Sequence, residues 1–83
     1  MQLPTIHRNG TSRKQLAEYY QAMGAAVRKA CVALAEHGPN ARDYYVNGPN
    51  AFSQAQREHS MRLIKLQSIE EELQQVLEHI VGT

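Results

Sequence analysis

A chain of 83 residues has room for one domain, and a formal net charge of +1 exerts no strong pull toward nucleic acid or an anionic membrane. A chain this short buries about 60% of the surface its unfolded form exposes, so a lone hairpin core is marginal without reinforcement. Cys31 is the only cysteine, which excludes an internal disulfide and a cysteine-rich metal site and leaves oligomerisation as the reinforcement.

Residues 1–11 read as a short extended arm, in which Pro4 breaks any early helix and Asn9 with Gly10 signals a turn. The arm holds no apolar run of signal-peptide length, and nowhere does an apolar run approach the roughly 20 residues of a membrane span. With the unpaired thiol, this gives the expectation of a cytoplasmic protein outside the membrane. Residues 12–83 form the single expected domain. Ser12 followed three residues later by Gln15 matches a capping box, and the alanine-rich stretch beyond it predicts a helix over about 12–37. Gly24 is its weak point, and Gly38 offers a left-handed stop before Pro39.

The connector, 38–48, repeats one piece of turn chemistry: Gly38, Pro39 and Asn40 are echoed by Gly48, Pro49 and Asn50. Between the two lie Tyr44, Tyr45 and Val46, which prefer extended structure. A second helix is expected over about 49–81, with Pro49 in its first turn and Asn47 or Gly48 as its cap.

Both helices carry heptad seams. In the first, Leu16, Tyr20, Met23, Val27, Ala30 and Leu34 alternate at spacings of four and three. In the second, Phe52, Ala55, His59, Arg62, Leu66, Ile69, Leu73, Val76 and Ile80 do the same. The apolar stripe of Leu63, Leu66, Ile69, Leu73, Val76, Leu77 and Ile80 is too wide for one partner helix, and it is the expected dimer face. The predicted fold is all-α: an antiparallel two-helix hairpin that dimerises into a four-helix bundle. Pairing of Arg13 and Lys14 with Glu70, Glu71 and Glu72 across the hairpin is expected to support that orientation. If the two loops lie at opposite ends of a dimer, the arm of one chain can pair with the connector of the other as a short ladder.

His59 and Arg62 break the second seam with polar groups. His37, Arg42, Asp43, Tyr44 and Tyr45 lie within reach, so these seven residues form the candidate polar cluster. It can be read as an Arg–His anion site with tyrosine walls. The favoured reading is a structural network that anchors the connector and fixes register. Catalytic chemistry finds little support. Cys31 flanks an apolar face as a small hydrophobe, and His7, His37, His59 and His79 lack ligand spacing for a metal. No phosphate loop, nucleophile elbow or zinc-protease pattern occurs. Neither a cofactor nor an enzymatic activity is expected. Arg8, Arg13, Lys14, Arg28 and Lys29 are basic, but Glu18 and Glu36 interrupt any broad phosphate track.

The arm of Ile6, His7, Arg8, Asn9, Gly10 and Thr11, the capped helix, and the connector of Arg42, Asp43, Tyr44, Tyr45 and Val46 with Gly48 and Pro49 occur in that order before a long second helix. This order resembles small uncharacterised bacterial and prophage-type helical-hairpin proteins over nearly the whole chain. The resemblance implies a bacterial or phage setting and transfers no activity. The functional expectation is a small oligomeric interaction protein that acts by binding another macromolecule. The alternative is a nucleic-acid-associated protein using the basic residues of the first helix.

Overall fold

The computed structural model describes residues 1–82; Thr83, the last residue of the expected domain, lies outside them. Helix α1 spans Arg13–Glu36 and helix α2 spans Ala51–Gly82, and the two pack against each other as a hairpin measuring 61 × 20 × 18 Å. No strand occurs among the described residues.

Helix α1 starts where the capping signal lies: Ser12 Oγ accepts the Gln15 N–H at 3.2 Å. Its end differs from expectation. Gly38 does not take the left-handed conformation; among the glycines only Gly48, at φ 112°, has a positive φ. The reason lies in Pro39. With His37 as the C-cap, a Schellman turn would need the N–H of Pro39 to satisfy the Leu34 carbonyl, and proline has none. That carbonyl is met instead by the ring of His59, which reaches over from α2.

The connector corrects a second expectation. Instead of an extended Tyr44–Tyr45–Val46 segment, Ala41–Asp43 and Tyr45–Asn47 form two short 3-10 turns. Asn40 starts the first: its Oδ1 accepts the Arg42 N–H at 2.9 Å and its carbonyl accepts the Asp43 N–H at 3.0 Å. Local bonds thereby satisfy backbone groups that an extended segment would need a partner strand to satisfy. Helix α2 starts two residues later than expected. The Asn50 carbonyl accepts its first helical bond, from the Gln54 N–H at 3.0 Å, so Asn50 takes the capping place assigned to Asn47 or Gly48.

The register explains the charges. His59 meets Leu34 and Glu70 meets Arg28, so the first turns of α2 overhang the end of α1 and pack on the connector, with Tyr44 against Phe52 at 6.4 Å between ring centroids. The glutamates 70–72 therefore stand beside the middle of α1. Arg13 and Lys14, level with the end of α2, form no ion pair among the described residues; Arg28 pairs with Glu70 instead, Nε to Oε1 at 2.8 Å.

Burial also shifts each seam slightly. In α1, Met23 remains 41% exposed while Gly24 and Cys31 turn inward. In α2, Arg62 and Ile69 point outward, and Leu63 and Glu70 face α1 in their place. Among the described residues the buried side chains are few, Cys31, Ala55, Val76 and Ile80, and of these Ile80 is fully enclosed.

Candidate functional site

The connector end of the hairpin holds the residues with the most chemical potential. Helix α2 aims His59 at α1, and the last turn of α1 leaves a carbonyl without an intrahelical donor, as every helix end does. The Nε2–H of His59 donates to the Leu34 carbonyl, and the ring packs beside Gly38. A donor at a helix C-terminus also opposes the partial negative charge collected there. Tyr44, half-buried, stacks at a tilt of 40° on Phe52 and closes the corner.

The other members of the seven-residue cluster do not join them. His37, Arg42, Asp43, Tyr45 and Arg62 are exposed, Tyr45 at 77%. Arg42 folds back on its own turn, with Nε 3.4 Å from Asn40 Oδ1. Arg62 turns away because the seam proceeds from His59 by four residues to Leu63, not by three. Of the seven, His59 thus ties α2 to α1, and Tyr44 ties the connector to α2. The expected dimer face is also redistributed. Leu63, Leu66, Leu73 and Leu77 are half-buried, Val76 and Ile80 are buried, and only Ile69 is exposed, at 44%. Most of that stripe is the inside of the hairpin.

Two polar contacts escaped sequence reasoning. One is the Arg28–Glu70 pair, which spans an open groove of about 630 Å³ between the helices, beside Gly24. Its signal was present: Glu70 lies four residues after Leu66 and three before Leu73, a seam position. The other is His79, whose Nε2 lies 2.9 Å from the Pro4 carbonyl and ties the arm to the end of α2. Pro4 and Ile6 of the arm are half-buried, and Val76 and Ile80 of the last turns of α2 are buried. Nothing in the arm's composition marks a histidine 75 residues away as its anchor.

No group of three or more His, Cys, Asp or Glu side chains among the described residues is placed to hold a metal ion, and no helix of the described residues is long and apolar enough to cross a membrane. Cys31, 9% exposed, sits in the α1 seam. Comparison with protein-family models, with curated proteins and with solved structures finds no match.

Proposed function

We propose that this chain is a non-catalytic helical interaction protein that self-associates into a four-helix bundle and acts by binding another macromolecule. The observation that carries this reading is surface area. The chain exposes 6420 Å², whereas a compact monomer of its mass exposes about 5,000 Å². The excess, about 1,400 Å² per chain, is larger than the ~800 Å² that each partner contributes to a standard interface. It is partly apolar: Tyr19, Met23, Met61, Ile64 and Ile69 are between 41% and 54% exposed on the two helices. An isolated hairpin has one layer where a stable helical core has two, and a second hairpin supplies the missing one.

The nucleic-acid reading draws less support. Arg28 is engaged by Glu70, and Arg13, Lys14 and Lys29 are separated by Glu18 along the exposed side of α1. Sedimentation equilibrium at micromolar concentration is expected to give twice the chain mass. Fluorescence anisotropy with labelled duplex DNA is expected to show no binding whose affinity falls steeply between 50 and 200 mM salt. A folded monomer would overturn the first reading, and a steep salt-dependent affinity would establish the second.

A further inference from the structure

The hairpin has two broad faces, and they differ in chemistry. One holds the groove spanned by Arg28 and Glu70, where the polar side chains Gln21, Gln67 and Gln74 share the lining with Tyr20, Ala25 and Leu77. On the opposite flank α1 presents Tyr19, Met23 and Ala26, all exposed. The contacts of His59 with Leu34 and of Glu70 with Arg28 set Ile69 of α2 level with this segment. Exposed apolar side chains of both helices therefore adjoin on this flank.

Charge identifies the occupant. Lys65 and Glu72 lie on the same exposed flank of α2, seven residues or two turns apart, and neither is in an ion pair among the described residues. The midpoint between them falls between Ser68 and Ile69. A two-fold axis through that midpoint, crossing the helix direction, lays a second α2 antiparallel on the first. It brings Lys65 of each copy opposite Glu72 of the other, twice by symmetry, with the Ile69 side chains beside the axis, while the flank of Tyr19, Met23 and Ala26 on each α1 faces the later turns of the other α1. Opposite charges placed symmetrically about an apolar centre are what an isologous interface requires.

We infer that the second layer of the bundle is a second copy of this chain, docked on the flank of Met23, Ala26 and Ile69 with reciprocal Lys65–Glu72 pairs and the two connectors at opposite ends. The inference rests on the self-association proposed above and specifies its face and direction.

Charge reversal tests it. Sedimentation equilibrium at 50 mM salt would compare the wild-type chain with Lys65→Glu, Glu72→Lys and the double variant Lys65→Glu/Glu72→Lys, with circular dichroism confirming equal helix content. Each single variant converts two attractive pairs into two repulsive ones and is expected to raise the dimer Kd about ten-fold. The double variant, with both pairs rebuilt in reverse, is expected to return to within about two-fold of wild type. A dimer unaffected by the single changes, or not restored by the double, would overturn this face while leaving self-association standing. A wild-type chain that stays monomeric would overturn both.

Discussion

The ring of His59 satisfies the carbonyl of Leu34 across the hairpin, so the C-terminus of one helix is capped by a side chain of the next. Replacing His59 with Leu keeps the bulk and removes the donor. Because the carbonyl it leaves is partly enclosed, the change is expected to cost about 1–2 kcal/mol in urea unfolding. Unchanged stability in His59→Leu would mean that solvent satisfies the Leu34 carbonyl equally well.

The apolar interior should dominate stability. Ile80 is 0% exposed and Ile64 is 54% exposed. Ile80→Ala is expected to cost about 2–5 kcal/mol, whereas Ile64→Ala in the hairpin alone should fall within about 0.5 kcal/mol of wild type. Leu66→Ala and Leu73→Ala, at half-buried seam positions, should lie between these. Equal losses at positions 64 and 80 would contradict the register of α2.

Gly24 offers a change in the other direction. A methyl group built there meets nothing within 4 Å, so Gly24→Ala should gain helix propensity without a clash, stabilising the chain by about 1 kcal/mol. Thermal unfolding of the variant would check this, and a lowered midpoint would show that the groove cannot accept the added carbon. The exposed Arg28–Glu70 pair beside it should contribute less, with Arg28→Ala costing no more than about 1 kcal/mol.

The N-terminal arm is held at one anchor. Deleting residues 1–9 removes the Pro4 carbonyl that His79 meets near the end of α2. Amide hydrogen exchange over residues 76–82 should accelerate, while the middle of both helices keeps its protection. Exchange left unchanged at those positions would mean that the arm contributes nothing to the order of α2.

Cys31 gives a simple probe of packing. At 9% exposure, its thiol should react slowly with a disulfide reagent in the native chain and rapidly in denaturant. Fast native reaction would place it outside the seam.

What was legible in the sequence follows the reach of the interaction. Ser12 marks its helix start through a bond spanning three residues, and the apolar periodicity marks two helices because 3.6 residues per turn is a local property. Choices between adjacent seam positions were not legible. Met23 against Gly24, Arg62 against Leu63 and Ile69 against Glu70 each differ by one residue, about a hundred degrees of rotation. Strict heptad counting favours the first of each pair, while the straight helix drifts toward the second. The connector misled for another reason: Tyr44, Tyr45 and Val46 carry strand preference, but Asn40 closes a local turn that overrides it. The anchors at His59 and His79 depend on where two helices end relative to each other, which no local pattern encodes.

The elongated shape bears on how this molecule behaves in solution. A hairpin 61 Å long and about 20 Å across diffuses more slowly than a sphere of the same mass. On a sizing column one chain would elute early, as a heavier compact particle does. Two such rods laid side by side double the mass while hardly lengthening the particle, so the elution volume would move little between one copy and two. Column position therefore confounds shape with stoichiometry for this fold, whereas light scattering, which reads mass without reference to friction, separates the lone rod from the pair.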